Sequence, residues 1–188
     1  LTKVYIHAFT DGRDCDPKSG LGFIQKLETF IEKTPAKIVS VIGRYYAMDR
    51  DLRWERVQQA YHLMVNGRGT AFNSASEAIE HSYTKDITDE FVEPSIITQQ
   101  HGEIVTIQEN DVLLSFNFRT DRPREIITCL TQENFPQFDM HKLQLETYTM
   151  TNYDASYKHV HVIYDKDNLQ NTLGEVISKL DLTQVRIA

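Results

Sequence analysis

Three apolar, β-prone runs each end in a turn rich in arginine and aspartate, and this pairing constrains the fold more than any other feature of the chain. The runs are Val4–Phe9, Lys37–Ile42 and Val112–Phe118. The corners that follow them are Asp11–Asp14 (DGRD), Gly43–Asp51 (GRYYAMDRD) and Asn117–Arg122 (NFRTDR). A continuous apolar run bounded by turn signals suits a strand covered on both faces, the usual state in a parallel sheet. A helical pattern follows each corner. Leu21, Ile24, Leu27 and Ile31 share a face over Ser19–Lys33, and Leu52, Val57, Tyr61 and Met64 form a stripe over Asp51–Val65. Ile126–Leu130 carries the apolar face of the third helix, with Asp121 placed to cap it and Pro123 in its first turn. Strand, corner and helix in repetition make an α/β domain. The expected architecture is a three-layer sandwich, a mostly parallel mixed sheet flanked by helices.

The remaining segments fit the same scheme. Gly43–Asp51 is expected as a loop or a first helical turn. Ser74–His81 carries the capping-box pattern Ser74-x-x-Glu77. Ile96–Thr98, Ile104–Ile107, Leu143–Met150 and Val160–Tyr164 are expected strands, and Asn171–Leu180 is an expected helix. Thr84–Pro94 is acidic and irregular, and Val185–Ala188 reads as the start of a further strand. With 188 residues the chain suits one domain with a real core. Because it opens on Leu1 and runs almost at once into a strand, it is expected to be a piece of a longer chain.

Charge narrows the partners. The formal net charge of -7 argues against a general nucleic-acid binder. No apolar run approaches the roughly 20 residues that span a bilayer. A local group of arginines still makes a positive pocket on an acidic protein. In an open α/β sheet ligands bind beyond the carboxyl ends of the strands, where helix N-termini favour anions. If the three strands run parallel, Arg13, Arg44, Arg50, Arg119 and Arg122 converge there. The guanidinium fork holds a carboxylate or phosphate through two hydrogen bonds and stays charged. Asp11, Asp14, Asp49 and Asp121 are interleaved to orient those forks. Any single pair of this kind is ordinarily a surface ion pair worth ~0–1 kcal/mol; three such corners, each after an apolar strand, favour a ligand site.

The corners carry a resemblance. DGRD with Pro17 and Ser19-Gly20, GRYYAMDRD followed by Arg53-Trp54 and Arg56, TDEF (Thr88–Phe91) with Pro94, FNFRTDRPRE (Phe116–Glu125) and NTLGEVISK (Asn171–Lys179) occur in one order. In that order the chain resembles the cofactor-independent phosphoglycerate mutases over nearly its whole length. The resemblance implies that residues 1–188 are a single substrate-binding, or transferase, domain excised from a larger two-domain enzyme. That enzyme interconverts 3-phosphoglycerate and 2-phosphoglycerate in glycolysis and gluconeogenesis. The phosphatase domain of the same chain holds two divalent metals, usually manganese, and a serine that carries the phosphate. Those metal ligands lie outside this fragment, which is expected to bind no metal and to be inactive alone. Arg13, Asp14, Arg44, Arg50, Arg119 and Arg122 are the implied substrate contacts, with Asp14 the candidate for moving the hydroxyl proton. A cytoplasmic monomer without membrane or nucleic-acid partners is implied.

Other readings compete. A non-catalytic module that binds small phosphorylated or carboxylated anions would use the same pocket. His159-x-His161 in a strand would put two rings on one face, as in a zinc site, although a partly exposed strand face is the commoner meaning. Cys15 and Cys129 are expected as separate thiols, and no serine stands in a G-x-S-x-G context.

Overall fold

The computed structural model describes residues 2–164 and 170–185. Its strands are β1 (Val4–Thr10), β2 (Ala36–Gly43), β3 (Thr70–Phe72), β4 (Ser95–Ile97), β5 (Val112–Ser115), β6 (Glu146–Thr149) and β7 (Val160–Val162). Its α-helices are α1 (Gly20–Ile31), α2 (Arg44–Ala47), α3 (Trp54–Asn66), α4 (Ala75–Thr84), α5 (Arg124–Ile127) and α6 (Leu173–Lys179). The expected α/β architecture forms, with parallel-rich sheets flanked by helices. The strands divide between two ladders, a four-stranded sheet in the order β1-β2-β4-β3 and a three-stranded sheet in the order β5-β6-β7. β1 and β2 are parallel, as are β3 and β4, whereas β2 and β4 run antiparallel. The second sheet is parallel throughout.

β2 forms the centre because both its faces are apolar. Ile38 and Val41 pack against α1 and α4 through Ile24, Ala75, Ala78 and Ile79. Ile42 faces the other way, into a core built by Val57, Ala60, Leu63 and Met64 of α3. That second core runs on under the three-stranded sheet, taking in Leu113, Ile126, Leu130 and Met140. Helices therefore cover both faces of the first sheet. A sharp stop ends α3, where Gly67 takes a left-handed conformation (φ 61°) and returns its N–H to the His62 carbonyl. Ser74 caps α4 as its sequence predicts, its Oγ accepting from Glu77 N–H at 3.1 Å, but the Glu77 carboxylate reaches back to the Asn73 N–H (2.9 Å) and not to that of Ser74, so the reciprocal half of the box does not form.

Several elements differ from the sequence expectation. Ile104–Ile107 makes no strand; Ile107 is buried and its N–H is taken by the Met64 carbonyl at the end of α3 (2.8 Å). Val112–Phe118 stops being a strand after Ser115, where Tyr153 Oη donates toward the Asn117 carbonyl at 2.6 Å. Leu143–Met150 pairs only over Glu146–Thr149. Thr70–Phe72 becomes β3, a run too short for periodicity to reveal. Asp121 does not cap α5; Pro123 occupies that position and Asp121 is drawn to arginines instead. The turn after β2, by contrast, keeps to the expectation: one helical turn forms there, α2. His159 precedes β7 with φ 56°, while His161 bonds Glu146 at 2.9 Å and stacks on Tyr148, so the two rings do not share a strand face. Residues 186–188 of the expected final strand lie outside the described residues.

Candidate functional site

The corner after β1 is held from behind. Gly12 has φ 64°, and a Cβ there would lie 2.7 Å from both Asp89 Cβ and Glu90 N, so only glycine fits. Asp11 Oδ1 accepts the N–H groups of Arg13 and Asp14 at 3.2 Å each, which closes the turn. Asp89 anchors the far end of the loop. Its fully buried carboxylate accepts from Gly20 N–H at 2.7 Å and from Tyr83 Oη at 2.6 Å, and its own N–H donates to the Pro17 carbonyl at 2.9 Å. The phenol of Tyr83 is pushed well up by burial and by this carboxylate. Asp89 was not singled out as a site residue in the sequence; its only signal was membership of the TDEF stretch.

The corner after β2 supplies the most enclosed cation. The Arg44 side chain is 3% exposed and its Nη1 donates to Asp11 and, at 2.8 Å, to Asp14. Burial works against its charge, and the hydrogen bonds to Asp14 and Asp11 more than restore it. Farther along the turn, buried Asp49 accepts from the N–H groups of Asp51 (2.9 Å) and Arg53 (3.0 Å). Asp49 also meets the guanidinium groups of Arg53 and Arg56. Leu52, with φ 59°, donates its N–H to Oε1 of buried Glu125 at 2.9 Å. The Glu125 carboxyl is pushed up by burial, with Asp49 adding to the effect, and its Oε2 is buried without a partner among the described residues. This bracing leaves Arg50 on the rim.

The corner after β5 meets the other two. Asn117 Oδ1 accepts the Arg119 N–H at 2.9 Å. Asp121 takes Arg119 Nε at 2.7 Å on one oxygen and Arg50 Nη1 at 2.8 Å on the other. Partial burial opposes its charge, but those two arginines hold its carboxyl far below the usual range. Arg119 also approaches Asp14 at 3.7 Å. Arg122 Nη1 donates to the Met48 carbonyl at 3.1 Å, and its Nε is buried with no hydrogen-bond partner among the described residues. Burial lowers the proton affinity of Arg122, and the charges of Arg44, Arg50 and Arg119 lower it further.

Arg44, Arg50, Arg119 and Arg122 therefore gather as the sequence suggested, with Asp14 between Arg44 and Arg119. Arg13 does not join that contact set; it is exposed and turns to Glu90 at 3.5 Å. The route by which the corners meet differs from a single sheet edge. β5 does not pair with β1 or β2, and the contact is made by loops from two sheets whose strands end at one place. Arg122 has an unfilled donor amid like charges, which is the electrostatic requirement for an anion. Among the described residues no group of three or more His, Cys, Asp and Glu is placed to hold a metal ion. Cys129 is buried, with its thiol pushed up by burial, and Cys15 is exposed.

Comparison with known proteins gives this geometry a family. Residues 1–155 match the family model described as BPG-independent PGAM N-terminus. The chain belongs to that family. Over its whole length it is 56% identical to a 2,3-bisphosphoglycerate-independent phosphoglycerate mutase of Flavobacterium psychrophilum and 48% identical to one of Parabacteroides distasonis. It spans 37% of the length of these relatives. A crystal structure of Leishmania mexicana phosphoglycerate mutase at low cobalt concentration matches with a TM-score of 0.83 at 28% identity, over 95% of this chain and 35% of that one.

Proposed function

We propose that this chain is the substrate-binding, or transferase, domain of a cofactor-independent phosphoglycerate mutase, a single domain that grips 3-phosphoglycerate and 2-phosphoglycerate during their interconversion. The observation that carries this reading is Arg122, its Nε unpartnered and its guanidinium crowded by Arg44, Arg50 and Arg119. A phosphorylated three-carbon acid brings two anionic groups to such a cluster, and arginine forks suit both. Arg44, Arg50, Arg119 and Arg122 are the proposed contacts, and Arg13 swings from Glu90 to join them. The proposal also includes the phosphatase domain of the same chain, its two manganese ions, a monomeric state and a cytoplasmic setting in glycolysis. Family membership supports these, and no described helix is long and apolar enough to cross a membrane.

Asp14 is the proposed proton carrier for the glycerate hydroxyl. The hydrogen bond from Arg44 holds its carboxyl below the usual range, with a smaller contribution from Arg119. In this state it is a weak base. A substrate anion that draws Arg44 and Arg119 toward itself removes that stabilisation, so Asp14 gains proton affinity when substrate is present.

The test is a titration of 3-phosphoglycerate into the full-length protein and its Arg122→Ala variant, with mutase turnover assayed beside it. Arg122→Ala is expected to weaken binding by about 10-fold or more, as loss of a charge-assisted contact does. Unchanged binding would remove the pocket from this reading. Binding without turnover by the full-length protein would favour the non-catalytic anion module.

A further inference from the structure

One acid beside the arginine cluster is turned the wrong way for an ordinary surface carboxylate. Glu125 stands in the first turn of α5, where a carboxylate is normally an exposed anion near the helix N-terminus. Here it is 4% exposed. Its Oε1 accepts the Leu52 N–H at 2.9 Å, and its Oε2 is buried with no partner among the described residues. Asp49, itself buried, is within hydrogen-bonding reach of it. The two acids have unlike surroundings. Asp49 Oδ2 accepts the Asp51 and Arg53 N–H groups, and its Oδ1 meets Arg53 at 3.1 Å and Arg56 at 3.6 Å. Burial opposes the Asp49 charge, and these donors still hold its carboxyl below the usual range. Glu125 has only the Leu52 N–H to support a charge; burial first, then Asp49 and Asp51, push its carboxyl up. Cys129, one turn farther along the same chain, is a thiol pushed up by burial and carries no charge to offset them.

A buried carboxylate oxygen without a donor has lost its hydration and gained nothing in return. A carboxylic acid in the same place has an O–H to give, and Asp49 is the acceptor at hand. Two adjacent carboxyls with environments this different divide one proton and one charge between them. The pair sits at a joint. Arg122, three residues before Glu125, donates to the Met48 carbonyl at 3.1 Å, and Glu125 takes the Leu52 N–H. These two bonds bracket Asp49–Asp51, and Arg50 lies between them, reaching Asp121 at 2.8 Å. Leu52 is held at φ 59°, a left-handed conformation unfavourable for leucine. The turn keeps that shape only while its neighbours hold it.

We propose that Glu125 is a positioning residue for substrate binding: as a neutral acid it donates from Oε2 to Asp49 while Oε1 holds Leu52, which locks the corner after β2 to the start of α5 and sets Arg50 against Arg122. Glu125 touches no substrate atom in this role and acts through the arginines. The role deepens the substrate-binding reading above and rests on it. Loss of the proton puts two buried anions side by side and loosens the corner that carries Arg50. Binding of the anionic substrate therefore weakens as pH rises through the folded value of Glu125.

Full-length protein and two variants test it. Glu125→Gln is the neutral acid made permanent, with an N–H for Asp49 and an oxygen for Leu52; Glu125→Ala has neither. At about pH 6, where an ordinary glutamate is ionised, the infrared difference between wild type and Glu125→Gln is expected to show a protonated carboxylic acid. In steady-state turnover of 3-phosphoglycerate, Glu125→Ala is expected to raise KM about 10-fold, the scale of one lost buried hydrogen bond. Glu125→Gln is expected to restore a nearly wild-type KM at the same pH. A merely structural defect would instead lower kcat per mole of protein, through lost folded enzyme, and leave KM alone. The KM of wild type relative to Glu125→Gln is expected to grow as pH rises from about 6 to about 9, the ionisation of the substrate and of other site groups cancelling in the ratio. That comparison needs only the Gln variant, so a misfolded Glu125→Ala does not spare the proposal. A missing acid band, a KM ratio flat with pH, or an unchanged KM in Glu125→Ala would each overturn the role alone. Wild type that neither binds nor turns over 3-phosphoglycerate would overturn the substrate reading and this role with it.

Discussion

β2 and β5 are both apolar runs followed by an arginine corner, yet Ile42 of β2 is fully buried and Val112 of β5 lies open. The difference is in what covers them. β2 has strands on both sides and helices on both faces, whereas β5 has one neighbouring strand and one helical face. The arginines inherit this contrast. Arg44, after β2, is enclosed and pinned by Asp11 and Asp14; Arg119, after β5, is 47% exposed and shares Asp121 with Arg50. One side of the arginine cluster is therefore held in place by buried partners, and the other side is the more exposed.

The contrast is most exposed to failure in stability. Ile42→Ala is expected to lower the unfolding free energy of this chain by about 2–5 kcal/mol, the range for large core truncations. Val112→Ala is expected to change it by less than about 0.5 kcal/mol, as exposed positions do. Urea midpoints for the two variants measure this, and equal losses would erase the distinction between the sheets. Next is binding. Arg44→Ala in the full-length protein is expected to reduce 3-phosphoglycerate affinity by about 100-fold, since it also leaves Asp11 and Asp14 without their shared partner. For the more exposed Arg119→Ala about 10-fold is expected. Calorimetric titration orders the two; the reverse order would place the rigid grip on the wrong side.

The smallest effect sharpens how the rim is braced. Glu125 is a buried acid whose folded-state proton affinity is raised by burial and by Asp49. A carboxyl raised in this way contributes its stability fully below the ordinary glutamate range near ~4.3 and loses it as pH rises through the folded value. Glu125→Gln keeps an acceptor for Leu52 N–H and removes the titration. The stability of wild type relative to Glu125→Gln is therefore expected to fall as pH rises through that window, read from urea midpoints at each pH. A difference that does not vary with pH would leave Glu125 without this role.

Much of this molecule was legible as a string. The three apolar runs gave β1, β2 and β5, the helical stripes gave α1 and α3, and Ser74-x-x-Glu77 gave the cap of α4, because these features depend on neighbours a few residues apart. The identities of the gathered arginines were legible too, through corner positions and a family resemblance. Asp89 was not. Its carboxylate binds Gly20, 69 residues away, and nothing near it in the chain marks that contact. Ile104–Ile107 looked like a strand because its apolar residues are real, but it was the end of α3 that claimed the Ile107 N–H. Asp121 was suited to cap a helix by local rules and was taken by two arginines instead, charge-assisted bonds outweighing a cap. The sequence alone determined which residues are apolar, which are charged and in what order the corners come. The tertiary structure alone decided that the strands separate into two sheets, that Arg13 faces Glu90, and that Arg122 is left with a buried donor and no partner, because burial and charge sum over neighbours that only folding brings together.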